Sequence, residues 1–403
     1  MPSAVSLTSK APRLLEVFLV FLKLGLTSFG GPIAHLGYYH EEFVKRRQWL
    51  SEESFADLIA LCQFLPGPAS SQIGFSIGVL RGQGLAGGIV AWSAFTLPSA
   101  LLMLAFALSA TLLAGASLDG LVHGLKLVAV AVVAHAVRGL AATLAPDRPR
   151  AAIALAAVAL VLLVGGALSQ VVTIGLGALV GWRLCRAPAQ ETQGQLRMPV
   201  ARPQALAALL LFALLLLGLP LLVKAGAGQG VALFDAFYRS GALVFGGGHV
   251  VLPLLQAEVV TPGWLNKEDF LAGYGFAQAL PGPLFALAAY LGAAAGPSPN
   301  GLIGGTLALV AIFLPGLLLV YGMLPFWDGL RKRPDAQAAM RGANAAVVGI
   351  LGAALYDPVW TSAIGSPSDF VAALAGFMML SVWKVAPWVV VVVLTGWGFV
   401  LAM

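Results

Sequence analysis

Charge is scarce in this chain of 403 residues: Asp, Glu, Lys and Arg make up 10%, against roughly a quarter in soluble proteins. Its two cysteines, Cys62 and Cys185, lie far apart in or beside apolar runs, which excludes a disulfide framework and a thiolate metal cluster. The usual signatures of catalysis are missing as well. There is no HExxH, no GxSxG and no P-loop, and the His-Glu pair in "YYHEEF" (Tyr38 to Phe43) has no second histidine four residues on. No enzyme activity, cofactor or metal is therefore expected. The net charge of +6 comes without a basic tail or an aromatic–basic patch, which excludes a nucleic-acid partner.

What the chain has is apolar length. Hydrophobic residues make up 59%, and apolar segments long enough to cross a bilayer recur from end to end. They run over 14–37, 55–80, 85–115, 120–144, 150–166, 168–185, 204–223, 231–256, 270–294, 301–325, 343–359, 369–385 and 387–402. The expected fold is an all-α polytopic membrane protein with about thirteen transmembrane helices. Lys10 and Arg13 precede the first segment and no small-residue cleavage site follows it, so it reads as a retained span. Counting cations places the N-terminus in the cytoplasm and the C-terminus in the periplasm. Most of the 23 Lys and Arg then lie inside, Lys384 among them. Lys45, Arg46, Arg47 and Lys224 fall outside, and Lys23, Lys126 and Arg239 lie within spans. The run Lys45-Arg46-Arg47 is the weak point of that assignment, unless the first segments are re-entrant or the loop folds back.

The sequence repeats itself. Phe29-Gly30-Gly31 recurs as Phe245-Gly246-Gly247, Lys23 as Arg239 and Glu42 as Glu258, each 216 positions later. After a one-residue gap the offset is 215, pairing Trp49-Leu50 with Trp264-Leu265, Gln63 with Gln278 and Pro66-Gly67-Pro68 with Pro281-Gly282-Pro283. At an offset of 217, Gly87-Gly88 and Leu97-Pro98 match Gly304-Gly305 and Leu314-Pro315. The expected domains are an N-terminal repeat (1–185), a linker with one extra transmembrane helix (186–230) and a C-terminal repeat (231–403). An odd number of spans separates the repeats, so they cross the membrane in opposite directions, as in many secondary transporters.

Two prolines around a glycine break a helix, and hydrocarbon tolerates such a break only where the freed backbone lines a cavity or is buried in protein. Broken helices at equivalent places in inverted halves point to a midplane site, where half-helix N-termini favour an anion. Close helix packing at Gly-Gly and a simple kink at Pro-Gly-Pro are the bland alternatives. Lys23 and Arg239 are intramembrane cations at matching positions, each costing about 2.5–3.5 kcal/mol. The nearby acids do not match: Asp235 corresponds to Leu19 and Asp57 to Ala272. That pattern favours an anionic substrate, although Asp235 is spaced to pair with Arg239 and Lys23 is able to snorkel. Gln63 and Gln278 precede the breaks and either donate to an oxyanion or cap the turn. His35 and His249 lie near the glycine motifs at non-equivalent positions, where a hydrogen-bonding structural role is expected. Ser70 and Ser71 follow the first break, where the second half has Phe285 and Ala286. Glu42 and Glu258 are read as stabilising a connection. The candidate substrate-binding set adds Pro32 and Gly248 to the residues of the glycine and proline motifs.

"TSFGGPIAHLG" with "QFLPGP", and "VFGGGHVVLPLL" with "QALPGP", resemble the chromate ion transporter family in its long two-domain form, over nearly the whole chain. The resemblance implies duplicated halves of opposite orientation in the bacterial inner membrane. It also implies export of chromate from the cytoplasm, giving chromate resistance, with sulfate as competitor or counter-ion. The alternatives left open are an anion channel, a carrier of another oxyanion such as sulfate, a membrane enzyme or scaffold, and a cation exporter. Monomer and homodimer are both left open.

Overall fold

The structure, a computed structural model, describes residues 10–29, 31–110, 116–164, 167–186, 199–244, 251–330 and 333–401. Among these residues the fold is all-helical, as expected. The first half holds α1 (Lys10–Thr27), α2 (Gly31–Tyr39), α3 (Glu52–Phe64), α4 (Ala69–Arg81), α5 (Leu85–Ala110), α6 (Ala116–Leu144), α7 (Arg148–Val164) and α8 (Ala167–Leu184). A linking helix follows, α9 (Arg202–Lys224). The second half holds α10 (Gln229–Ala242), α11 (Val251–Val259), α12 (Lys267–Ala277), α13 (Leu287–Ala294), α14 (Gly301–Met323), α15 (Trp327–Leu330), α16 (Pro334–Ala354), α17 (Thr361–Ala363), α18 (Pro367–Ser381) and α19 (Pro387–Leu401). The stretches Leu85–Ser109, Val122–Leu144, Arg202–Lys224, Gly301–Phe326 and Pro334–Ala363 are long and apolar enough to cross a membrane. Leu206, Leu210, Leu214, Leu217 and Leu221 form an exposed stripe along α9, which suits contact with lipid.

The first two apolar segments each fold into a hairpin. α1 carries the chain away from Glu16, and α2 with the π-helical turn His40–Arg46 brings it back. At the end of that turn Arg47 Nη1 donates to Glu16 Oε1 at 3.2 Å. α3 and α4 repeat the excursion, and Arg81 at the end of α4 donates to Glu16 Oε2 through Nε (3.0 Å) and Nη2 (2.7 Å). Arg47 and Arg81 therefore share one face with Glu16. This explains the run Lys45-Arg46-Arg47: the re-entrant reading returns it to the side of Arg13 and Arg81. The second half folds alike. Gly296, beyond α13, donates its N–H to the carbonyl of Trp264 before α12 at 2.8 Å. α3 and α12 even start on matching caps, with Ser51 accepting from Ser54 N–H and Asn266 from Asp269 N–H.

α5 and α14 tie the halves together. Within each half the first helix crosses this long one at a glycine: Gly25 lies on the Phe95 carbonyl and, at the equivalent crossing, Gly241 on that of Ile312. α5 leaves the first half's hairpin bases beside Gly78 and Gly82, and its far end meets the second half, where Phe106 stacks on Phe276 and Tyr290. α14 runs the reverse course, from Gly292 at its start to Phe75 of α4 against Tyr321 near its end. The two sets of hairpin bases thus lie at opposite ends of α5 and α14, which is the inverted arrangement. Further out the halves exchange helices. Gly342 of α16 packs on Gly177 and Gly181 of α8, and Gly124 of α6 on Leu394 and Thr395 of α19.

Candidate functional site

The two proline breaks meet at the centre of the molecule. Gly67 donates its N–H to the Val244 carbonyl at 2.6 Å, and Gly282 donates to the Ser28 carbonyl at 2.9 Å. Val244 and Ser28 are themselves repeat equivalents, so each half's break is held by the residue that precedes Phe-Gly-Gly in the other half. Such reciprocity is the mark of a two-fold relation. Both glycines have left-handed backbone, φ +125° and +94°. A Cβ would meet Gly316 Cα at 2.9 Å from Gly67, and Ser99 Oγ at 3.0 Å from Gly282, again at equivalent positions.

The backbone groups freed by the breaks find partners. Gln72 Nε2 donates to the carbonyls of Pro66 (2.9 Å) and Gly316 (3.0 Å). His35 is buried, with Nε2 3.2 Å from the Ser28 carbonyl and Nδ1 3.3 Å from Ser70 Oγ. Ser71 is buried beside it, and its hydroxyl has no hydrogen-bond partner.

Beside the crossing lies a cavity of about 230 Å³, walled by Gly31 at the start of α2, Gln278 and Gly282 of the second break, His135 of α6, and Lys384. Among the described residues no acid lines it. Gln278 Nε2 is buried without a partner. His135 Nδ1 lies 2.9 Å from Ser381 Oγ, and in the tautomer whose Nδ1 accepts a hydrogen bond from that hydroxyl, Nε2–H is a further donor. The α2 N-terminus adds a positive dipole end.

Lys384 is exposed and lies in the turn between α18 and α19, two helices short for a full crossing. α18 has 15 residues, about 22 Å of helix against about 30 Å of hydrocarbon. Through Ser381 its end is pinned to His135, nine residues, or about 13 Å, before the end of α6 at Leu144. The turn 382–386 reaches the cavity through Lys384 and Val385. Lys384 itself has left-handed φ, +52°.

The expected site residues divide. The structure brings Gly31, His35, Pro66, Gly67, Pro68, Ser70, Ser71, Gln278, Pro281, Gly282 and Pro283 to the crossing, with Ser28, which the sequence did not single out. Gln63, the partner of Gln278 in the repeat, is exposed, as is Lys23, and Phe29 and Pro32 are half-buried. Gly30, Phe245, Gly246, Gly247, Gly248 and His249 lie outside the described residues. Arg239 requires a correction. Its Nε donates to Asp235 at 2.9 Å, and Nη1 and Nη2 grip Glu258 at 2.8 and 2.9 Å. One guanidinium serves two carboxylates, so this cation is not left for an oxyanion. Glu258 is its bidentate partner and ties α11 to α10. In the first half Glu42 pairs instead with Arg46 and Arg47. Sequence reasoning missed Gln72, His135 and Lys384. The signal for Lys384 is the length of its two flanking segments, each marginal for a full crossing.

Paired broken hairpins of opposite orientation, meeting beside a donor-lined cavity, define a polytopic membrane transporter. The family model for chromate transporters matches residues 15–182 and 231–399, once for each half. The chain belongs to the chromate transporter family. It is 31% identical to the chromate transport protein of Pseudomonas aeruginosa over 396 residues, covering 95% of this chain and 91% of that protein. It is 30% identical to a probable chromate transport protein of Synechococcus elongatus, covering 90% and 88%. To the chromate transport protein of Cupriavidus metallidurans it is 27% identical, covering 94% and 91%. No solved structure matches the chain.

Proposed function

We propose that the protein carries chromate out of the bacterial cytoplasm across the inner membrane, binding it in the cavity between Gly31, Gln278 and Lys384. The observation that carries this reading is the lining: a lysine, an unpartnered buried amide and a helix N-terminus, without a carboxylate among the described residues. Three relatives named for chromate transport supply the substrate. Sulfate, a tetrahedral dianion of similar shape, is the natural competitor.

In this account the Lys384 ammonium offsets the dianion's lost hydration, Gln278 Nε2 and the Gly31 N–H donate to its oxygens, and His135 adds a neutral donor. The volume of about 230 Å³ holds the anion with several waters, each of which occupies about 30 Å³ in the liquid. Rocking of the halves about the crossing of the breaks exposes the cavity to either side. With the N-terminus in the cytoplasm, the face bearing Arg13, Arg47 and Arg81 is cytoplasmic, in keeping with the positive-inside rule. A dianion leaving an inside-negative cell gains about 4.6 kcal/mol per 100 mV, twice the value for one charge, so the potential alone favours export.

Counterflow of labelled chromate and sulfate in proteoliposomes, under imposed potentials, tests the proposal. Saturable chromate exchange, accelerated from the negative side and inhibited by sulfate, is expected. Flux that does not saturate and shows no counterflow would instead identify an anion channel, and exchange of sulfate with no chromate flux a carrier of another oxyanion.

A further inference from the structure

A second cavity, of about 250 Å³, lies between α8, α10 and α11 and shares no lining residue with the transport cavity. Its polar wall is Gln170, Arg239, Ser240 and Glu258. The charges here do not balance. Arg239 directs all three of its nitrogens at the carboxylates of Asp235 and Glu258, so one cation meets two anions. Asp235 is 3% exposed, and its Oδ1 is buried without a hydrogen-bond partner. A buried carboxylate left uncompensated takes up a proton rather than stay charged. Gln170 is an independent sign. It is 7% exposed, and its Nε2 donates to the Pro253 carbonyl at 3.1 Å. Its Oε1 is thereby left as a buried acceptor without a donor. Ser240 in the same wall donates instead to the Ala236 carbonyl at 2.8 Å. A protonated carboxyl, or a water that it donates to, supplies the donor that Oε1 lacks.

Neighbouring groups do not restore the balance. Tyr238 of α10 donates its hydroxyl to the Phe212 carbonyl of α9, and α14 meets α10 at Ile312 and Pro315. α8 brings Gln170 and Val171 to the wall. On α16, packed against α11, Arg341 donates to the Cys185 carbonyl and Asp335 pairs with Arg186. Lys267, the next cation along the chain, pairs with Asp357 at 2.9 Å. The first half is built differently: Glu42 has both Arg46 and Arg47, and Leu19 stands in place of Asp235. The surplus acid thus belongs to the second half alone. Glu258 directly precedes the hairpin base at the face opposite Arg47 and Arg81, where the Trp264 N–H bonds to the Val259 carbonyl at 3.0 Å. Leu243, also in the cavity wall, precedes Val244, whose carbonyl holds the first break at Gly67. The cavity therefore adjoins both that hairpin base and the crossing of the breaks.

We propose that Asp235, Arg239 and Glu258 hold one exchangeable proton, taken up from the outer face, and that its passage couples chromate export to proton entry. The proton binds a carboxylate oxygen and takes the triad from a net charge of −1 to zero. Its arrival or loss acts on α10, the helix whose end anchors the crossing about which the halves rock. The coupling rests on the transport reading above; the proton site does not. Infrared spectroscopy of the purified full-length protein in nanodiscs, titrated in pH, tests the site. A carboxylic-acid carbonyl band is expected at neutral pH, lost on raising the pH and absent from Asp235→Asn, which keeps the pairing of Arg239 with Glu258. Glu258→Gln, which also leaves one acid to one cation, is the second variant and should lose the same band. Proteoliposomes held at zero potential test the coupling. A gradient of one pH unit should concentrate chromate about tenfold on the acid side, for one proton exchanged per chromate. The two variants should lose that effect, while the action of pH on chromate itself is common to all three proteins. A titrating band with no chromate flux at all would support the proton site and contradict the transport reading. A band unchanged in both variants, or a chromate distribution that follows the gradient equally in all three proteins, would overturn the proposal.

Discussion

Arg239 and Lys384 illustrate how the surroundings of a cation decide its role. Arg239 lies at a repeat position shared with Lys23, yet Asp235 and Glu258 neutralise it more than fully. Lys384 has no acid among its neighbours in the cavity wall. Arg239→Gln is accordingly expected to act on stability, because it leaves the buried Asp235 and the half-buried Glu258 without their partner. The loss should be about 1–3 kcal/mol, as for leaving charged groups unsatisfied at a partly exposed site, read as a lowered unfolding midpoint in detergent. The protein that remains folded should keep its KM for chromate. A raised KM at unchanged stability would return Arg239 to the substrate site.

At the scale of elements, the breaks are held by specific backbone partners, and two substitutions probe them. Gln72→Leu removes both donors that satisfy the Pro66 and Gly316 carbonyls and is expected to cost about 1–3 kcal/mol of stability. The second half carries leucine, Leu287, at the equivalent position, so a leucine there is compatible with the fold. Gly67→Ala forces an L-residue into φ +125° and a Cβ against Gly316 Cα. Gly282→Ala meets a serine hydroxyl that is able to turn aside. Gly67→Ala should therefore be the more damaging, with the difference read from thermal unfolding; equal effects would contradict the packing described for the first break.

At the scale of the whole molecule, the two sets of hairpin bases lie on opposite faces. Single cysteines at Gln48 and Gln83 should label with an impermeant maleimide from one side of the membrane, and cysteines at Thr261 and Asn300 from the other. The native Cys62 and Cys185 are buried and give little background. Labelling of positions 48 and 83 from different sides would contradict the hairpins. Much of this architecture is legible in the sequence, because a broken helix needs proline and glycine at fixed places and a duplication writes those places twice. The Phe-Gly-Gly and Pro-Gly-Pro motifs are such marks, and the structure joins each Pro-Gly-Pro to the residue just before the other half's Phe-Gly-Gly. The hairpins were harder to see. An apolar run of hairpin length looks like a crossing, and only the return of Arg47 and Arg81 to Glu16 distinguishes the two. Lys384 was hidden because it meets Gln278 and His135 only through tertiary packing, which periodicity does not report. The pairing of Arg239 with Glu258 joins residues 19 positions apart on different helices, beyond the reach of a spacing rule.

The claim that the donor-lined cavity at Lys384 is the substrate site is tested most directly by chromate counterflow with Lys384→Gln in proteoliposomes. Losing a charge-assisted contact of about 1.5–3 kcal/mol should weaken chromate about tenfold to a hundredfold, seen as a raised KM with an unchanged unfolding midpoint. Counterflow by Lys384→Gln with the KM of the unaltered protein would contradict the account.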